Sequence, residues 1–210
     1  MHISEGVLSA PVLAAGGIMA IGGTIVGLKR LEYEQLPKAG VLAAAFFIVS
    51  LVRIPVGAVS VHLALNGLCG LMLGWGAFPV ILVGLTLQAI FFQFGGLTTL
   101  GVNLFIMAFP AVLAFYLFRP VIWKSGYRSP LLSFLAGFGT VLLSAVTMGA
   151  SLYLSGKEFS VIAGIVVVAN VPVMVGEGLV TLSAIGFLGK VYPALLFDSD
   201  FGAKNSHDSK

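Results

Sequence analysis

The second residue of this chain is a histidine, and a histidine in that position turns the start of a polypeptide into a chelate. The α-amine of Met1, the backbone nitrogen of His2 and Nδ1 of its imidazole can close one five-membered and one six-membered ring around a single metal ion. A bulky second residue protects the initiator methionine from removal. No basic stretch precedes the first apolar run, so the terminus does not read as a cleavable signal peptide. Three nitrogens leave one in-plane position open, and the imidazole of His62 can fill it. Four coplanar nitrogens suit Ni(II) or Cu(II), and low-spin Co(II) accepts the same field, whereas Mg and Ca prefer oxygen.

The elements that bring residues 2 and 62 together must be membrane helices. The chain has 210 residues, of which 59% are hydrophobic and 9% charged, with a mean hydropathy of +1.08; soluble proteins carry about a quarter charged residues. Charge is absent from 6–28, 39–52, 54–118, 129–156 and 159–176, and a span needs roughly 20 apolar residues. Breaking the longest stretch at the glycine clusters of 74–77 and 95–98 predicts about seven transmembrane helices, near 9–28, 39–52, 60–75, 77–93, 99–118, 130–154 and 160–188. The fold class is an all-α polytopic membrane protein, with one transmembrane domain over 1–198 and a polar tail over 199–210.

Orientation follows from the basic residues of the short loops. Lys29, Arg30, Lys38, Arg119, Lys124, Arg128 and the tail lysines fall on one side, and only Arg53 and Lys157 on the other. The first set faces the cytoplasm, which puts the N-terminus outside and the C-terminus inside. The net charge of +3 is therefore a topology signal within the lipid bilayer, and no nucleic acid is expected as a partner.

With the chain threaded this way, His2, His62, the Gly95-Gly96-Leu97-Thr98-Thr99 connection and Asn103 all reach the outer face. The Pro- and Gly-containing segment from Arg53 to Val61, with Ser60 next to His62, opposes a regular helix and reads as a cavity wall; such backbone is tolerated at membrane depth only where protein or water surrounds it. Glu177 is the acid deep in an apolar span, and an intramembrane carboxylate is by default a functional candidate. It can orient a ligand, balance the charge of the ion or help couple movement. Plainer readings stand beside these: His62 as an amphipathic boundary residue, His2 as a solvated terminus, Glu177 as a packing contact and Glu5 as a helix-terminus charge. Cys69 reads as core, and His207 in the tail has no role. The sequence has no G-x-x-x-x-G-K-[ST] phosphate loop, no H-E-x-x-H and no G-x-S-x-G, so no enzyme is expected and energy for uphill transport must come from elsewhere.

The opening Met1-His2-Ile3-Ser4-Glu5-Gly6, the Ser60-Val61-His62 segment, the run from Gly95 to Asn103 and Gly176-Glu177-Gly178-Leu179 together resemble the CbiM/NikM family, the substrate-capture components of energy-coupling-factor importers for cobalt or nickel. The resemblance reaches to about residue 190. It implies a seven-helix fold and a metal site made of the Met1 amine, the His2 amide and imidazole, and His62; Ser60, Asn103 and Glu177 are the candidates to surround it. It implies as partners a membrane coupling component, a pair of cytoplasmic ATPases and a small accessory membrane subunit. No resident cofactor is expected, since Co(II) or Ni(II) is the cargo. Cobalt is favoured by the look of the chain, with nickel as the alternative; an ion-coupled carrier using Glu177 and a membrane metalloenzyme are the rivals from other classes.

Overall fold

A computed structural model of the chain describes residues 2–56, 59–124 and 129–196. The expected tail over 199–210 lies outside the described residues, as do Met1 and His207. The opening strand β1 (His2–Ile3) leads into α1 (Ala10–Arg30), α2 (Leu36–Val49), the strands β2 (Arg53–Val56) and β3 (Val59–His62), and α3 (Asn66–Leu73). Then follow α4 (Ala77–Phe92), α5 (Leu100–Lys124), α6 (Pro130–Ser155), α7 (Ser160–Ala169), α8 (Val171–Val191) and the short α9 (Pro193–Leu196).

Five helical runs among the described residues are long and apolar enough to cross a bilayer: Ala10–Arg30, Asn66–Phe92, Leu100–Lys124, Pro130–Ser155 and Lys157–Val191. The expected span over 39–52 is the 14-residue α2, about 21 Å long at 1.5 Å per residue and short of the ~30 Å hydrocarbon core. The expected span over 60–75 differs more. Its first residues are strand, and its helix is the eight-residue α3, every residue of which is buried. Alternating Val59, Ser60 and Val61 fit the two-residue repeat of a strand, and an apolar run alone does not separate strand from buried helix. At Gly74, with φ 55°, the chain turns out of α3 through a short 3-10 turn into α4. The last span is one run in two pieces. Pro172 follows the break at Asn170, where its missing N–H and its ring prevent an unbroken helix.

The helices pack by removing side chains from their contact faces, as expected where lipid supplies no hydrophobic drive between helices. On α1 the buried residues are Gly16, Ala20, Gly23 and Gly27, while Ile18, Ile21, Ile25 and Leu28 point outward. A Cβ at Gly16 would lie 2.9 Å from Cα of Val102 on α5, so α1 and α5 meet backbone to backbone. α3 is sunk among α5, α6 and α8, and a Cβ at its Gly70 would strike the Ala111 carbonyl of α5.

One end of this bundle is closed by a three-stranded antiparallel sheet in the order β1-β3-β2. His2 pairs with Ser60 and Ile3 with Val59, while Arg53 pairs with His62 and Pro55 with Ser60. Pro55 is accommodated because β2 is an edge strand, where a missing ladder donor is tolerated. The expected non-helical cavity wall is thus a β-hairpin, of which Gly57 and Ala58 lie outside the described residues. At the opposite end Arg30 donates to the Tyr116 hydroxyl at 2.9 Å, and Trp75 donates to the same oxygen at 3.1 Å.

Candidate metal centre

Strand geometry decides which side chains meet. Directly paired residues of an antiparallel ladder project to the same side, and so do residues two apart on one strand. His2 and Ser60 are paired, and His62 follows Ser60 by two, so all three share one face of the sheet. Ile3 and Val61 face the other way, into the core.

On the shared face His62 Nε2 lies 2.9 Å from His2 Nδ1, the two nitrogens that the chelate and its fourth donor require. Both rings are buried, 3% and 2% exposed, with centroids 4.7 Å apart. His62 Nδ1 lies 2.8 Å from the Leu63 carbonyl oxygen. A carbonyl only accepts, so Nδ1 carries the proton and Nε2 presents its lone pair toward His2, the arrangement in which a backbone carbonyl fixes a ligand tautomer. Metal–imidazole bonds run about 2.0–2.1 Å at zinc, and at such lengths two donors at right angles around one ion stand about 2.9 Å apart, the bond length times the square root of two. The observed nitrogen pair is at that spacing.

Among the described residues no group of three or more His, Cys, Asp or Glu side chains converges. Two imidazoles alone do not fill a four-coordinate site, so further donors would be backbone groups, the terminus or neutral side chains. The Met1 amine, the expected first donor, lies outside the described residues.

The surrounding residues fix the depth of the N-terminal segment. Asn103, in the first turn of α5, accepts from the Ile3 N–H at 2.9 Å and donates to the Ile3 carbonyl at 3.1 Å. Its carboxamide thus behaves as a further strand on the edge of β1 that β3 leaves open. The Glu5 N–H donates to the Gly95 carbonyl at 3.1 Å, and the Glu5 carboxylate accepts from the Thr98 N–H at 3.2 Å. Glu5 therefore places its charge at the start of α5, not of α1. Gly95 and Gly96 have φ of 78° and 137°, where a side chain is strained, and a Cβ on Gly96 would collide with Glu5. The glycine-rich connection is shaped to the segment it holds.

Glu177 on α8 does not reach the imidazoles' nitrogens through any hydrogen bond among the described residues. Its Oε1 accepts from the N–H groups of Ala64 and of Leu65, the latter at 2.6 Å. Leu65 has φ 50°, so Glu177 holds the left-handed bend that joins His62 to α3. Glu5, Thr98 and the Leu63 carbonyl take parts in the site that sequence reasoning did not give them. The paired Gly95-Gly96 was the signal that a backbone must pass close by.

A family model described as "Cobalt uptake substrate-specific transmembrane region" matches residues 2–195. A protein of Haemophilus influenzae named "Putative metal transport protein" is 43% identical over 199 residues, covering 93% of this chain and 97% of that protein. A "Cobalt transport protein CbiM" of Sorangium cellulosum is 31% identical over 216 residues, covering 93% and 94%. A crystal structure of a transition metal transporter superposes with a TM-score of 0.79 at 23% identity, over 91% of this chain and 93% of that one. Other relatives are named as fused nickel or fused cobalt transport proteins.

Proposed function

The chain belongs to the CbiM family of cobalt-uptake transmembrane proteins, a multi-pass membrane component of prokaryotic cobalt and nickel transport, and from that premise we propose that it captures Co(II) for an ATP-driven energy-coupling-factor importer. The donor set in this reading is the Met1 amine, the His2 amide and Nδ1, and His62 Nε2. The observation that supports it most is the buried nitrogen pair at 2.9 Å. The metal takes the place of the proton between the two imidazoles, and the amine and amide protons leave with it, because ligands bind metal deprotonated.

Capture takes place from outside, with the terminus lying along β3 and α5 over the ion. Energy is supplied by a pair of cytoplasmic ATPases through a membrane coupling component, with a small accessory subunit as a further partner. The fusion of relatives to other transport segments supports such an assembly. Ni(II) satisfies the same four nitrogens and is the second reading, supported by the nickel names among the relatives. An ion-coupled carrier using Glu177 has less support, since one carboxylate oxygen is engaged by two backbone N–H groups in a positioning role.

Uptake of radiolabelled cobalt tests the proposal. Cells expressing this chain with a coupling component and ATPases should accumulate cobalt, and replacing the phosphate-loop lysine of the ATPases should abolish accumulation. Undiminished uptake by the variant, or by the chain alone, would contradict it.

A further inference from the structure

We propose that the Ser60 hydroxyl is an axial oxygen donor to the bound ion and biases the site toward Co(II) over Ni(II), an inference that rests on the four-nitrogen reading above. Ser60 stands directly opposite His2 in the register and two residues before His62, so its side chain emerges from the sheet face that carries both imidazoles. It is 9% exposed, and its Oγ has no hydrogen-bond partner among the described residues.

Several other buried hydroxyls among the described residues are engaged, although that of Thr181 on α8 is not. Ser50 donates to the Phe46 carbonyl at 2.5 Å, Thr140 to the Ala136 carbonyl at 2.6 Å, and Ser144 accepts from Asn66 at 3.0 Å. The first two use the carbonyl four residues back, which a helix always offers. A strand offers none, so Ser60 must be met by something else, and a buried polar atom left alone calls for such a partner. On this face the partner that the nitrogen pair implies is the ion.

Four in-plane nitrogens leave the axis of the ion open. Low-spin Co(II), with seven d electrons, has one electron in the orbital along that axis and is stabilised by a weak fifth donor. Square-planar Ni(II), with eight, has two there and repels one. A neutral hydroxyl held on that axis therefore strengthens cobalt binding without helping nickel. It offsets the general preference of nitrogen sites for nickel.

The test uses the full chain with its native N-terminus, titrated with Co(II) and with Ni(II), and low-temperature electron paramagnetic resonance of the cobalt form. Ser60→Ala should lose about tenfold in Co(II) affinity, the lower end of what losing a supporting group costs a metal site. It should leave Ni(II) affinity unchanged and shift the cobalt spectrum toward that of a four-coordinate ion. Ser60→Thr, which keeps the hydroxyl, should match the parent in all three, and Ser60→Gly should repeat the alanine result if Ser60→Ala does not fold. Equal losses for both metals, or no loss with an unchanged spectrum, would overturn the axial assignment. A parent protein that binds neither metal one to one would instead overturn the four-nitrogen reading.

Discussion

Around His2 and His62, side chains grip backbone: Asn103 holds both polar groups of Ile3, the Glu5 carboxylate holds the Thr98 N–H, and Glu177 holds Ala64 and Leu65. A few turns deeper, backbone meets backbone with nothing between, as Gly70 does against Ala111 and Gly137 against the Glu177 carbonyl. The first arrangement specifies where a short, two-residue strand lies, because each hydrogen bond has one geometry. The second supplies contact area and says little about position along the axis. Metal affinity should therefore depend on the first region and stability on the second, and substitutions can be chosen to pull the two apart.

The largest effect on folding belongs to the deeper region. Gly70→Leu drives a side chain into the Ala111 backbone of α5, and overpacking of this kind should cost at least about 3 kcal/mol. Thermal unfolding in detergent should show little or no folded protein. A variant that folds normally and binds cobalt normally would mean that α3 and α5 are not held at this distance.

His62→Ala belongs to the other region. In the proposed four-nitrogen site it removes one donor, so Co(II) affinity should fall by more than about 100-fold, the upper end of what outer-shell changes cost, while the melting temperature barely moves. His207→Ala should leave both unchanged, so the two replacements compare the same chemistry at two positions by calorimetry. Equal behaviour would make His62 a boundary residue.

Glu177→Gln lies where the two regions touch, since its carboxylate holds the bend after His62 while its backbone packs on Gly137. The amide keeps the shape and loses the charge. Affinity should fall about 10- to 100-fold together with a lowered melting temperature, both measured on one sample. Normal binding in the folded fraction would leave it a packing residue only.

Asn103→Ala should act more mildly, because β3 still holds the other edge of β1. About a tenfold loss of affinity is expected, with about 1–2 kcal/mol of stability from the unpaired Ile3 groups. Hydrogen exchange at the Ile3 amide should rise in parallel, and unchanged exchange would show that the carboxamide does not anchor the terminus.

Much of the bundle was legible in composition. The long spans begin and end within a few residues of their expected positions because charge and glycine mark the ends, as at Lys29 and Arg30. α5 runs on to Lys124 instead of stopping near 118, because Arg119 lays its guanidinium over the rings of Phe115 and Trp123 and so adds a cationic turn without ending the helix. The hairpin was legible only as a refusal to be helical. Which residues a strand pairs with depends on the rest of the fold. The two histidines could be proposed from their chemistry, whereas Asn103 gripping Ile3, 100 positions away, has no signature in the sequence.

In the proposed site the chain's own start, with His2 held in the sheet, supplies the amine and amide donors beside the two imidazoles. Inserting one alanine between Met1 and His2 keeps every side chain but moves the amine one residue away from the imidazole and destroys the adjoining five- and six-membered rings. Isothermal titration of the purified parent and insertion proteins with Co(II) compares them directly, in buffers of differing ionisation enthalpy so that released protons are counted. The parent should bind one ion and release more than one proton at pH 7, since the amine and imidazole reference pKa values are about 7.7–8.0 and 6.5, and the insertion should abolish binding. Near-parental affinity in the insertion protein, or a proton count near zero in the parent, would contradict the account.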